Sequence, residues 1–516
     1  MNFIKNNFLF SIIFSLIIIV SNLTANFFIN SYYIFNSKHT IQEFIITFIL
    51  GFLLSFIKNK LKVFFSSFFI FLNFIDIGYF YFFRTHLPSY QIELLFSEYK
   101  DIIDSLASIK LIIFLLILLS ILSIYIIYKI SRVKTLSNKY TTPFLVVLII
   151  IFPIFIRNHT INYMPNSTHF GYINTLFSFE IFISNRIFKP YKEKIFKAYI
   201  VKKLNTQKPI IIVIMGESLN YKRMSLFGFN YKTTPLLDSL KNDNNFIYKK
   251  AISSGVNTPV GVASFFYIKR EPENVKLILS QKTNILKLAR ENNYTTYWLS
   301  MQEEGTGIFP FLNNSDFVKT RKDFKDKYDD NLLNELKKIN FSKKTFVVLH
   351  LRANHSPYEE YTPKLFYKWS FNYKDYHKYK LFTYLNSVLY VDNIIYGIIE
   401  YMKENYKNFI IYYVSDHSEM LGFKSENGKY GHSQLVFGDT FIPFLYYSDK
   451  YHKNLNKNYY NHYLISKMLA EDLGYEIINP NENKDIYYIN NVKLDGRSGY
   501  LKYELNSLDK NDTLLR

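Results

Sequence analysis

An α-helical transmembrane part followed by an α/β domain with a central, mostly parallel sheet is the fold class that the sequence predicts. Three observations carry it. Apolar runs, most of them near the ~20 residues that cross a bilayer, fill the first third of the chain, and charged residues dominate afterwards. From residue 209 onward, short β-branched runs alternate with helical stretches, the pattern of a doubly wound domain. Three of those runs, Ile210–Gly216, Thr345–Leu351 and Phe409–Val414, end in polar residues, and open α/β sheets collect their chemistry beyond the carboxyl ends of such strands.

Taken in order, the apolar segments cover residues 7–28, 40–57, 63–83, 111–128 and 143–156, which predicts five spans. They lack the polar face that buried helices of a soluble domain would carry. No small-residue cleavage site follows the first, so it does not read as a signal peptide. The fifth is short and carries Pro143 and Pro153. Lys5, the cluster Lys58, Lys60 and Lys62, and the group Lys129, Arg132, Lys134 and Lys139 mark the cytoplasmic sides. Five spans starting inside put everything after residue 157 outside the cytoplasm. Asp76 and Glu43 are carboxylates at membrane depth or near its edge, where function and simple hydration compete as explanations. Pro88–Lys100 reads as a short interfacial helix, and Phe179–Leu204 as a basic amphipathic one.

The expected organisation is therefore a membrane domain over 1–157, an amphipathic connector over 158–208 and a catalytic domain over 209–516. The tail carries a strand pair around Asp495–Gly499, the pattern of a terminal hairpin. A net charge of +20 suits an anionic lipid surface. No nucleic-acid motif accompanies the dispersed lysines, so nucleic acid is not expected as a partner. The 516 residues include no cysteine, which removes disulfides, thiolate metal sites and cysteine nucleophiles together.

The polar residues at the strand ends form a metal-binding constellation. Glu217 follows the first run, and Asp416 and His417 follow the third. Thr258 precedes Pro259, which predicts a helix start with Thr258 as N-cap and Pro259 at the first helical position. A hydroxyl there faces unpaired N–H groups that suit a phosphoryl group, and beside a metal it loses its proton more easily. Glu217, Thr258, Asp416 and His417 together make an oxygen and nitrogen set suited to zinc. His355 and His432 lie in loops and could bind a transferred phosphate, protonate a leaving group or hold a second metal. His350, His377 and His462 read as structural.

In their order G-E-S, F-G-x-x-x-x-T-T-P-x-L-D, S-G-x-x-T, N-H-S-P-Y, S-D-H-x-E-x-L-G and G-H, these motifs resemble the membrane-bound phosphoethanolamine transferases of the alkaline phosphatase and sulfatase superfamily. The resemblance covers nearly the whole chain and implies an alkaline-phosphatase-like α/β domain in the periplasm, anchored as a multi-pass protein in a bacterial inner membrane. It implies zinc on Glu217, Thr258, Asp416 and His417, with Thr258 phosphorylated in turn, and His355 and His432 on the substrate side. It implies a metal-dependent transfer of phosphoethanolamine from phosphatidylethanolamine to an outer lipid or glycan such as lipid A of lipopolysaccharide, by a chain expected to act as a monomer. Asp329 and Asp330 resemble the family's acidic stretch, with Lys322, Lys325 and Lys327 upstream as phosphate contacts. The chain departs from the pattern at Ser418, where a glycine is usual, and in having no disulfides.

Two rival readings remain. A phosphoglycerol transferase of the lipoteichoic acid synthase type shares the layout and would use phosphatidylglycerol. A catalytically silent membrane scaffold would be expected to have lost a ligand, and all four are present.

Overall fold

The computed structural model describes residues 2–29, 37–83, 87, 92, 110–132, 142–143, 171–187, 194–205, 208–302, 314–372, 375–483 and 485–508. It divides into two compact units, Met1–Tyr191 with Gly428–Tyr430, and Lys192–Asn427 with Gly431–Arg516.

The first unit contains helices α1 (Asn2–Ile29), α2 (Ser37–Ser55), α3 (Asn59–Phe83), α4 (Lys110–Ser131) and α5 (Gly171–Ile187). Among the described residues three stretches are long and apolar enough to cross a membrane: Ile4–Thr24, Asn59–Tyr81 and Lys110–Ser131. The second expected span is a shorter apolar helix, Thr40–Ser55. The fifth, 143–156, lies outside the described residues except for Pro143, as does the 88–100 stretch except for Ile92. Phe10, Phe14, Ile18, Leu54, Ile70 and Tyr172 belong to one buried cluster. The lysine cluster is not wholly a loop, because α3 starts at Asn59 and takes Lys60 and Lys62 into its first turn. Lys62 lays its stem over the Phe10 ring at 5.4 Å and donates to Asn59 Oδ1 at 3.3 Å.

Asp76 is only 2 % exposed and is bonded inside the unit. Its Oδ1 accepts from Leu87 N at 3.1 Å and from Asn174 Nδ2 at 3.2 Å. Asn73 Nδ2 donates to Ser21 Oγ and Asn22 Oδ1, and Asn22 Nδ2 in turn donates to Glu43. Both carboxylates thus have hydrogen-bond donors within the unit, as buried polar groups in an apolar bundle need.

The second unit is built on an eight-stranded sheet. Its strands are β2 (Ile210–Gly216), β3 (Phe246–Ile252), β4 (Thr295–Ser300), β5 (Phe317–Lys319), β6 (Thr345–His350), β7 (Phe409–Ser415), β10 (Phe441–Ser448) and β11 (Tyr459–Asn461). Shorter strands are β1 (Ile200–Lys203), β8 (Met420–Leu421), β9 (Tyr430–Gly431), β12 (Tyr475–Ile478), β13 (Ile486–Asn490) and β14 (Tyr500–Glu504). The spatial order is β11-β3-β10-β7-β2-β6-β4-β5. All neighbours run parallel except that β10 is antiparallel to both β3 and β7, so the sheet is mixed. Every residue of β2, β6 and β7 is buried, which explains why these strands read as unbroken apolar runs.

The helices of this unit are α6 (Pro235–Ser239), α7 (Thr258–Phe266), α8 (Val275–Ser280), α9 (Ile285–Glu291), α10 (Asp330–Leu336), α11 (Tyr376–Asn405) and α12 (His462–Asp472). The amphipathic helix expected to run to Leu204 is corrected: α5 stops at Ile187, and Ile200–Lys203 pairs antiparallel with β12. A short mix of apolar and basic residues, here Ile200, Val201, Lys202 and Lys203, suits an edge strand as well as a helix face, and the available partner decides. β13 and β14 form the expected antiparallel hairpin.

Candidate metal centre

Register assembles the site. Gly216 pairs with Ser415, so the residues after them, Glu217 and Asp416, emerge side by side from adjacent parallel strands. Gly216 is required there, since a Cβ would lie 2.1 Å from the Tyr413 hydroxyl. Ser218 then takes a left-handed backbone, φ 52°, an uncommon state for a residue with a side chain. The turn is fixed by three bonds: Ser218 N donates to Asp416 Oδ1 at 3.0 Å, Ser218 Oγ to Glu217 Oε1 at 2.6 Å, and Tyr384 Oη to Ser218 O at 2.7 Å.

Thr258 reaches the same point from α7. The N-cap is Asn257, whose side chain accepts from Val260 N, and Thr258 is the first helical residue. This corrects the expected cap and has a chemical consequence: Thr258 does not spend its hydroxyl on its own helix. Thr258 Oγ1 donates to Glu217 Oε2 at 3.2 Å and lies 3.3 Å from His417 Nε2. α7 comes this close because residue 261 is glycine; a Cβ there would lie 2.1 Å from Asp416 O.

Ligand atoms of Glu217, Asp416 and His417 all lie within 4.8 Å of one another, and all three residues are buried. His417 Nε2 is 3.3 Å from Glu217 Oε1 and 3.4 Å from Asp416 Oδ2. His417 Nδ1 donates to Ser418 O at 2.8 Å, which turns Nε2 towards the carboxylates. Asp416 Oδ2 is a buried oxygen with no hydrogen-bond donor among the described residues. Burial opposes charge on Glu217, yet the hydrogen bond and charge of His417 hold its carboxyl well below the carboxylate range. Burial and the Glu217 charge push Asp416 up to about 6. Burial would lower His417, but Asp416 and Glu217 hold it well above its ordinary value. The pocket demands positive charge, and two carboxylates, an imidazole and a hydroxyl are the donor set that zinc takes in four-coordinate sites.

His432 and His355 border this centre. The rings of His417 and His432 are 4.5 Å apart, and those of His432 and His355 5.9 Å. His432 Nδ1 donates to Glu419 Oε2 at 2.8 Å, and Tyr358 Oη donates to the other oxygen. His355 Nδ1 donates to Ser356 O at 2.6 Å. With Nδ1 donating to Glu419, His432 keeps Nε2 for chemistry. Ser418, in place of the usual glycine, needs no left-handed backbone, and its N–H donates to Asp439 O.

Among the residues set aside as structural, His462 is a pillar of the site: it accepts from Ser254 N at Nδ1 and donates from Nε2 to Ser415 O. His350 is buried next to Ser300 Oγ at 3.4 Å, and His377 packs on Phe423. Asp329 does not cap α10 with its side chain; it accepts from Arg352 N and Ala353 N, tying down the loop before His355. Lys322 and Lys325 are exposed, and Lys327 pairs with Glu360 at 3.4 Å.

Gln302, Arg352, Glu419 and Asn257 were not singled out from sequence. Gln302 was within reach: β4 is a further parallel strand beside β6, and Gln302 lies two residues beyond its end. Gln302 Nε2 donates to Glu217 Oε2 and to Leu351 O, both at 2.7 Å.

Fold and site define a mixed α/β domain with a buried oxygen and nitrogen cluster, a candidate metal centre, at the carboxyl ends of its central strands. Residues 209–474 match the sulfatase family, and the chain belongs to it. Among curated proteins it is similar to phosphoethanolamine transferase EptC of Escherichia coli (strain K12), 25% identical over 40% of this chain and 39% of that protein. It is also similar to phosphoethanolamine transferase EptA of Helicobacter pylori, 24% identical over 54% of this chain and 56% of that one. The matched part thus spans about two fifths to just over half of these relatives' length. Among solved structures, the integral membrane lipooligosaccharide phosphoethanolamine transferase A of Neisseria meningitidis shares the fold, with TM-score 0.58 and 16% identity over 91% of this chain and 95% of that one. So does the periplasmic domain of EcEptC from Escherichia coli in complex with Zn, with TM-score 0.52 and 20% identity over 61% of this chain and 98% of that one.

Proposed function

We propose that the chain is a zinc-dependent transferase that moves phosphoethanolamine from phosphatidylethanolamine to an outer glycolipid or glycan. The observation that carries this reading is the Thr258 hydroxyl, left free of capping and aimed between Glu217 and His417. The names of the relatives, which include a Kdo(2)-lipid A phosphoethanolamine 7''-transferase of Escherichia coli, 23% identical over 46% of this chain, support the choice of group and of acceptor.

In the first half-reaction Thr258 Oγ attacks phosphorus, a new P–O bond forms, and the bond to diacylglycerol breaks. The Thr258 proton passes to a basic neighbour, for which Glu217 Oε2 is the acceptor at hand. Diacylglycerol leaves with a proton from His432 Nε2, whose ring Glu419 holds in place. In the second half an acceptor oxygen attacks the phosphothreonine, a new P–O bond forms, Thr258 Oγ1 leaves and takes back its proton from Glu217 Oε2, and the acceptor's proton returns to His432. Zinc bound by Glu217, Asp416, His417 and Thr258 would lower the hydroxyl's proton affinity and offset charge on the phosphoryl oxygens. His355, whose ring lies 5.9 Å from that of His432, binds the group in transit.

On this reading five apolar segments anchor a monomer in a bacterial inner membrane, with domains over 1–157, 158–208 and 209–516 and the last in the periplasm. A bound phosphoglycerol would favour the phosphatidylglycerol rival. Mass spectrometry of the protein incubated with phosphatidylethanolamine tests the proposal: a phosphoethanolamine adduct is expected on the peptide containing Thr258, and none in Thr258→Ala. Full transfer by a folded Thr258→Ala protein would refute it.

A further inference from the structure

The metal centre is one arc of a closed circuit of side chains. From Glu217 the circuit passes to His417, then His432, then His355, by the contacts given above. The His355 ring meets Tyr361 edge-on at 6.2 Å, and Tyr361 carries the Arg352 guanidinium over its face at 5.3 Å. Arg352 Nη1 donates to Gln302 Oε1, and Gln302 Nε2 returns to Glu217 Oε2 at 2.7 Å, the same oxygen that receives Thr258. A buried cation is therefore two hydrogen bonds from the nucleophile's partner, across the circuit from His432.

We propose that Arg352 grips the non-bridging oxygens of the phosphoryl group presented to Thr258, with Gln302 as its positioning residue. The inference rests on the phosphoryl-transfer reading and names the group that would hold the anion. Arg352 is 4 % exposed, and a guanidinium at that depth acts far more strongly on an anion than one in water. Its five donors form a rigid fork matched to phosphate, and the bond to Gln302 and the Tyr361 ring help to aim it. The loop does not need the guanidinium as an anchor, because the backbone N–H groups of Arg352 and Ala353 already bind Asp329 at 3.0 Å. Gln302 couples the two charges: its amide donates to the metal-side carboxylate and accepts from the cation, so metal and anion sites hold a fixed separation. Lys327, one of the lysines expected to meet phosphate, is paired with Glu360 instead.

The test uses the full-length zinc-loaded protein in detergent, with inorganic phosphate as the probe in calorimetry and Thr258 adduct formation from phosphatidylethanolamine as a second readout. Arg352→Gln is expected to weaken phosphate binding ten- to hundredfold at unchanged zinc content, and Arg352→Lys, which keeps charge without the fork, to fall between. Gln302→Met should raise KM for the lipid by a larger factor than it lowers kcat. If Arg352→Gln does not fold, Arg352→Lys and Gln302→Met decide alone. Wild-type phosphate affinity in the folded variants, or no phosphate binding by the wild type, would overturn the inference. Phosphate binding that depends on Arg352 in a protein that forms no Thr258 adduct would support it and refute the transferase reading.

Discussion

Asn257 and Thr258 divide two tasks that sequence reasoning had given to one residue. Asn257 closes the helix and Thr258 keeps its hydroxyl for the centre. Asn257→Ala should therefore cost about 1 kcal/mol of stability, the usual worth of a cap, and leave Thr258 its partners. Thr258→Ser should retain transfer, while Thr258→Ala should lose the adduct with little change in melting temperature; calorimetry beside mass spectrometry checks both. Asp329 gives a pH prediction. Burial pushes its carboxyl from 3.8 up to about 7. The folded state thus holds a proton that the unfolded state releases, so this contribution is complete below pH 4 and is lost as pH rises towards 7, on the order of 4 kcal/mol in total. Denaturation midpoints of wild type should fall across that window, and Asp329→Asn should flatten the slope. The clustering of Glu217, Asp416 and His417 was legible because each follows a buried strand. Gln302 and Arg352 were not, because their roles come from a hydrogen bond between loops 50 residues apart.

At the scale of elements, what positions α7 is a missing side chain. Gly261 lets the helix rest on the backbone of Asp416, with a Cβ's distance to that carbonyl oxygen only 2.1 Å. Gly261→Ala should push α7 outward, lower stability by about 1–3 kcal/mol and cut transfer far more than stability, because Thr258 moves with the helix. Metal analysis and activity on the same preparation separate the two effects. The central strands were readable as apolar runs, and the antiparallel course of β10 was not, since both of its partners are decided by topology. The stretch 200–203 was misread for a related reason: four residues cannot tell a helix face from an edge strand until β12 is known.

For the whole molecule, the split between an apolar helical unit and a charged α/β unit was plain from composition, whereas the number of crossings was not. Three helices meet the length and composition of a span among the described residues. Reporter fusions after residue 170 should be active only outside the cytoplasm; activity only inside would reverse the orientation argued from the lysine-rich loops. Chelation should lower the melting temperature of wild type and much less that of His417→Ala, since a ligand bound only by the folded state stabilises it.

The pairing of β2 with β7 also sets a timetable. Ser218 and Asp416, bonded in the folded protein, lie 198 residues apart in the chain. At roughly 5–20 residues per second, synthesis separates the two ligand-bearing strands by about 10–40 s, during which Glu217 has no partner carboxylate or imidazole to share an ion with. On the proposed reading metal uptake is therefore a late event in the life of the nascent chain, and zinc content would date its completion: a product released before Asp416 should carry none, however well its first strands have formed.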